Sequence, residues 1–227
     1  MDGSFLLDTF GKLMAALPLT LEVWALSMLF GGAIAAGVTA LRLLGGPVGA
    51  RVARAYVFVF RGSPLLVQLF FVYYGLASIA AVRASVFWPF LRDAFDCAVL
   101  ALSLCTAAYQ SEIFRGALAA VPAGEVEAGV ACGMSRTILF ARVIFPVASR
   151  IGLPAYATEA ISMTKATALV SLVTLWDVTS VALKIRDDTY VTYAPILVAG
   201  AIYLALNATI GFAFARLEAA LTPPARA

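Results

Sequence analysis

Histidine is absent from this 227-residue chain, cysteine occurs only at Cys97, Cys105 and Cys132, and charged side chains make up just 13% of it. Without imidazole, and with no metal-ligand cluster or nucleophile elbow, the sequence is poor material for an enzyme. The cysteines lack metal-ligand spacing and lie in apolar or helical contexts. They read as small hydrophobes, and no metal or other cofactor is implied. There is no G-x-x-x-x-G-K stretch, so the chain is not expected to bind ATP through a phosphate loop. The opening residues, MDGSFLLDTFGK, hold acids but no basic n-region, which argues against a cleaved signal peptide. A net charge of +3 is too small to point to nucleic acid.

Apolar surface is what the chain has in excess. Hydrophobic residues form 63% of it and mean hydropathy is +0.95, against roughly 45–50% apolar and about 25% charged for soluble domains. A bilayer core about 30 Å thick takes roughly 20 helical residues. Five stretches qualify: 13–41, 55–82, 94–118, 148–175 and 189–215. The expectation is therefore a single all-α transmembrane domain over 1–227, with membrane lipid around it. Eight basic residues (Arg42, Arg51, Arg54, Arg115, Arg136, Arg142, Arg216, Arg226) fall on one side of these spans and five (Lys12, Arg83, Arg92, Lys184, Arg186) on the other. The positive-inside tendency then puts the amino terminus outside and the segment 122–146 in the cytoplasm. Trp88 and its neighbouring phenylalanines read as an interfacial belt on the opposite side.

Residues 125–146, EVEAGVACGMSRTILFARVIFP, form a polar island between two membrane-crossing stretches. Pro122 opens a helix whose first turn carries Glu125 and Glu127, where carboxylates suit the helix dipole. Gly133 can take the left-handed conformation that ends it. Ser135 can cap the next helix, and Pro146 turns the chain into the following span. The small residues Ala128, Gly129 and Ala131 would leave a surface open to close approach by another protein.

This island resembles the loop by which permeases of bacterial binding-protein-dependent ABC importers grip their ATPase subunits. That loop reads E-A-A, three residues, Gly, nine residues, Ile, any residue, Leu-Pro. Here Glu127, Ala128, Gly129, Gly133, Val143, Phe145 and Pro146 keep the spacing, with Gly129, Val143 and Phe145 departing mildly in type. FRGSPLLVQLFFVYYGL (60–76), AAYQSEIFRGAL (107–118) and KATALVSLVTLWDVT (165–179) are similar to the branch that takes up polar amino acids, especially basic amino acids and opines. Most relatives in that branch have Asp after the lysine of the last motif, where this chain has Ala166. The resemblance implies a five-helix permease bundle in the bacterial inner membrane. It also implies an ATPase dimer docked at Glu125, Glu127, Ala128, Gly129, Gly133, Met134 and Pro146, a second permease subunit that is identical or homologous, and a periplasmic substrate-binding protein.

Ionisable residues inside a span are expensive, about 2.5–3.5 kcal/mol on insertion scales, and are functional candidates by default. Arg61 offers a planar fork suited to a substrate carboxylate; Gly62, Ser63 and Tyr109 are further candidates for the substrate site. Glu159 follows Pro154 by five residues, where a broken helix is tolerated if it lines a cavity. Its carboxylate, at a position where much of the family carries an amide, would attract a cationic side chain or the α-amino group and so favour arginine-like substrates; the classes the resemblance implies are basic amino acids (arginine, ornithine, lysine, histidine) and opines (octopine, nopaline). A structural ion pair from Glu159 to Lys165 or Arg150 is the rival reading. Glu112 and Arg115 are spaced to pair on one helix face, while Glu22 and Asp177 read as interfacial. An amino-acid transporter driven by an ion gradient, with Glu159 and Glu112 as carriers, is the alternative function, and a membrane scaffold is a further one.

Overall fold

The computed structural model of the chain describes residues 3–221; Arg226, counted above on the cytoplasmic side, lies outside the described residues. Every regular element among them is helical. Helix α1 runs Gly3–Leu44 and α2 Gly46–Gly62. Next come α3 (Leu65–Phe70), a π turn (Phe71–Gly75) and α4 (Leu76–Ser78). The short α5 (Ala80–Arg83) and α6 (Trp88–Leu91) lead into α7 (Ala94–Ala119). The polar island forms α8 (Ala123–Ala131) and α9 (Arg136–Leu139). A second π turn (Phe140–Ile144) then leads into α10 (Phe145–Ala166) and a 3-10 segment (Thr167–Val173). The chain ends with α11 (Val178–Thr189) and α12 (Tyr193–Leu221). Four of the described segments are long and apolar enough to cross a membrane, and a fifth results if a bent pair counts as one span.

That bent pair is where the sequence pattern and the fold differ. Residues 55–82 read as one uninterrupted apolar span, yet α2 stops at Gly62 and the chain turns by 102° before Leu65. Pro64 explains the break: it has no N–H to donate, and it drives Ser63 into the extended region (φ −105°, ψ 146°). Gln68 then staples the corner. Its Nε2 donates to the carbonyls of Phe60 (2.9 Å) and Ser63 (3.1 Å) and to Ser63 Oγ (2.9 Å), meeting acceptors that the broken helix leaves open. Helix α1 departs in the other direction. Its 42 residues rise about 63 Å, twice a bilayer core, so it extends well before the expected start at residue 13.

Helix α7 is the centre of the bundle, with α1, α2, α3 and α10 packed around it. Small buried residues on α7 (Ala98, Ala101, Ser103, Ala107, Ala108, Ser111) let the neighbouring backbones come close. The contact is tightest at Gly31 of α1, where an added Cβ would stand 2.3 Å from Thr106 Cγ2 and 3.3 Å from the Ser103 carbonyl. Trp24 ties α1 to α10 by donating to the Ala160 carbonyl at 2.9 Å.

Helix α11, which the span pattern leaves out, has a strong start signal. Asp177 accepts from the N–H groups of Thr179 (3.1 Å) and Ser180 (2.9 Å) as an N-cap. It also accepts from the Tyr203 hydroxyl at 3.2 Å. Asp177 is fully buried, so the interfacial reading of this residue is corrected: its charge is stabilised by these hydrogen bonds rather than by water. Glu22 is exposed.

Candidate functional site

The polar island closes on itself through two local devices. At the end of α8, Gly133 sits at φ +73°; its N–H donates to the Val130 carbonyl (2.9 Å) and the Met134 N–H to that of Gly129 (3.2 Å). This is a Schellman stop, and glycine is there because an L side chain strains a left-handed residue. Two residues on, Ser135 Oγ accepts from the Ile138 N–H at 3.4 Å and starts α9. Glu125, Glu127, Ala128, Val130 and Gly133 are exposed, while Met134 and Pro146 are half-buried. Gly129 is buried: a Cβ there would lie 2.4 Å from Leu139 Cδ1 and 3.6 Å from Met134 Sδ. Its small size lets α8 fold against α9 rather than offering an outward surface. Just above this loop, Glu112 pairs with Arg42 at the end of α1 and with Arg115 (2.8 Å), so one carboxylate fastens α1 to α7.

A second group of polar residues gathers where α2, α7 and α10 meet. Arg61, in the last turn of α2, is exposed, and its guanidinium stands over the Tyr109 ring at 4.9 Å from the centroid, a cation–π contact. From α10, the half-buried Glu159 accepts a hydrogen bond from Thr106 Oγ1 at 2.7 Å. Arg61 and Glu159 are not among the ion pairs of the described residues, nor is Glu159 paired with Lys165 or Arg150. Ser63 is spoken for locally: its hydroxyl donates to the Val59 carbonyl at 2.8 Å and accepts from Gln68. Gly62 has open space around it. Nearer the polar island, an apolar cavity of about 860 Å3 opens between α1, α7 and α10; Phe140 and Phe145 share its wall with Phe114, Gly152 and Tyr156, and none of Arg61, Thr106, Tyr109 or Glu159 lines it.

Thr106, Gln110 and Gln68 carry much of this geometry and were not singled out in the sequence. Thr106 and Gln110 sit one helical turn apart on α7, the spacing that aligns them on one face. A polar pair at that spacing inside an apolar span was the available signal.

Residues 28–223 match the family described as binding-protein-dependent transport system inner membrane component. The octopine transport system permease protein OccM of Rhizobium radiobacter is 45% identical over 230 residues, covering 99% of this chain and 92% of the relative. The histidine/lysine/arginine/ornithine transport system permease protein HisM of Escherichia coli K12 is 36% identical, covering 94% of this chain and 90% of that one. Among solved structures, an amino acid ABC transporter crystallised with histidines superposes with a TM-score of 0.84 at 29% identity, over 96% of this chain and 98% of the other. ATP-driven import thereby replaces the ion-gradient alternative, and an ATPase and a substrate-binding protein are the partners the family implies. The chain belongs to the binding-protein-dependent transport system inner membrane components: it is a multi-pass inner-membrane permease subunit of an ABC transporter for amino acids or related compounds, and not itself an enzyme.

Proposed function

We propose that this permease moves basic amino acids or arginine-derived opines inward, and that Arg61 and Glu159 receive the substrate's opposite charges. The observation that carries this reading is the separated pair itself. A cation at the end of α2 lies over Tyr109 and a carboxylate on α10 is hydrogen-bonded to Thr106, three residues earlier on α7, and the two do not pair with each other among the described residues. A substrate with a carboxylate at one end and a guanidinium or ammonium at the other fits between them, with Tyr109 and the Gly62–Ser63 corner alongside. OccM and HisM, whose names specify octopine and basic amino acids, agree with this class.

The drive enters at the loop 122–146. Glu125, Glu127, Ala128, Gly133 and Met134, with Gly129 and Pro146 shaping the loop from within, form the surface for one ATPase of a dimer, and a second permease subunit completes the path. The eight-to-five excess of basic residues on the loop's side supports a cytoplasmic loop and an outside amino terminus. Closure of the ATPases shifts α8, the short link 120–122 passes that shift to α7, and the Glu112 clamp with Arg42 carries it from α7 to α1. The substrate path beside Arg61 and Glu159 then opens alternately to the two faces of the membrane.

Glu159→Gln tests the substrate reading. Losing a hydrogen bond to a charged partner is worth about 1.5–3 kcal/mol, or about 10–150-fold in affinity. Arginine- or octopine-stimulated ATP hydrolysis by the assembled transporter is expected to need at least about tenfold more substrate, on the same scale. An unchanged half-saturation concentration for both compounds refutes the reading.

A further inference from the structure

We propose that Thr106 and Gln110 are positioning residues that aim the Glu159 carboxylate, and so set the affinity for the substrate's guanidinium or ammonium group; this rests on the reading of Glu159 given above. Both side chains are fully buried, and they form a directed chain. Gln110 Nε2 donates to Thr106 Oγ1 at 3.1 Å and lies 3.6 Å from Met28 Sδ. A thioether can only accept a hydrogen bond, which fixes the amino end of the amide on that side. The carbonyl end, Oε1, makes no hydrogen bond and lies against Gly32, where a Cβ would come within 3.2 Å. With one lone pair of the Thr106 hydroxyl engaged by the amide, its single proton is free to donate elsewhere. It points to Glu159 Oε1 at 2.7 Å rather than to the Met28 sulfur at 3.9 Å.

The consequence is a carboxylate held by one oxygen. Glu159 has three rotatable side-chain bonds, and fixing such a chain costs on the order of 1.5–2 kcal/mol. The bond from Thr106 takes that cost in the empty protein, and leaves Oε2, which has no hydrogen-bond partner among the described residues, available for an incoming cation. Preorganisation of this kind strengthens binding without adding a contact to the substrate.

The test is a set of variants in the assembled transporter, read as half-saturation concentration and maximal rate of ATP hydrolysis stimulated by L-arginine and by octopine. Thr106→Val is expected to raise the half-saturation concentration on the order of tenfold, the low end for a hydrogen bond to a charged group, with the maximal rate little altered. Thr106→Ser keeps the hydroxyl and is expected to retain near-normal affinity. Gln110→Met frees the hydroxyl to rotate and is expected to fall between the two. The deciding arm is Thr106→Val placed on a Glu159→Gln background, where it is expected to have no further effect. The same loss in both backgrounds, or a fall in maximal rate with affinity unchanged, means that Thr106 only packs and overturns the inference. If Glu159→Gln by itself changes nothing, the substrate reading fails instead, and the two failures are told apart.

Discussion

Replacing Gly31 with alanine puts the central helix contact under direct strain. The new Cβ would stand 2.3 Å from Thr106 Cγ2, where carbon atoms prefer about 3.5–4.0 Å, so more than an ångström has to be found. The β-branched Thr106 has little rotamer freedom in a helix. Rotating it would carry Oγ1 away from Glu159, and moving Gly31 sideways meets the Ser103 carbonyl, already 3.3 Å from the added atom. Overpacking of this kind costs about 1–3 kcal/mol, partly offset by the gain of up to about 1 kcal/mol for alanine over glycine in a helix. Gly37 on the same helix has open space around it and receives only the gain. Gly31→Ala is thus expected to be about 1–3 kcal/mol less stable than Gly37→Ala, measured as unfolding in detergent, and to bind substrate less tightly. Thr106→Ser removes the clashing methyl and should restore stability in the Gly31→Ala background. Equal stability of the two alanine variants, or no rescue by serine, refutes the packing argument.

Two other substitutions probe the elements that frame the site. Gly133→Ala forces a Cβ into the left-handed region (φ +73°) at about 1–2 kcal/mol; it should weaken ATPase assembly on the permease, as read by co-purification, while Gly124→Ala leaves it unchanged. Asp177→Ala removes the α11 cap and a partner of Tyr203; thermal unfolding should show a loss of about 0.5–2 kcal/mol from the cap alone, and Asp177→Asn should recover most of it.

Features that depend on a residue's own chemistry were legible in the sequence. Gly133 and Ser135 stop and start helices through short-range hydrogen bonds, and the structure shows both devices where the spacing put them. The all-helical membrane fold followed from composition. What escaped was what depends on distant partners. The 102° corner at Gly62–Pro64 is masked by apolar character that continues across it, although a Gly-Ser-Pro run is a turn signal in its own right. A lone acid near a span end, such as Asp177, usually meets water; the Tyr203 hydroxyl, 26 residues away, together with the N–H groups of its own helix start, allows it to be buried. Gly129 is small enough to suggest a partner's close approach, yet its neighbour is Leu139 of the same loop. Thr106 and Gln110 stand out little among apolar residues because their partners, Glu159 and Met28, lie on other helices.

The central claim is that the loop around Gly133 is the cytoplasmic docking surface for an ATPase. Cys132 gives a native handle on it: it is exposed at the end of α8, whereas Cys97 and Cys105 are buried. A membrane-impermeant maleimide should label Cys132 in inside-out vesicles stripped of the ATPase. Labelling should be absent in intact spheroplasts and suppressed when the ATPase is added back. Labelling from the periplasmic face, or labelling indifferent to the ATPase, contradicts the account.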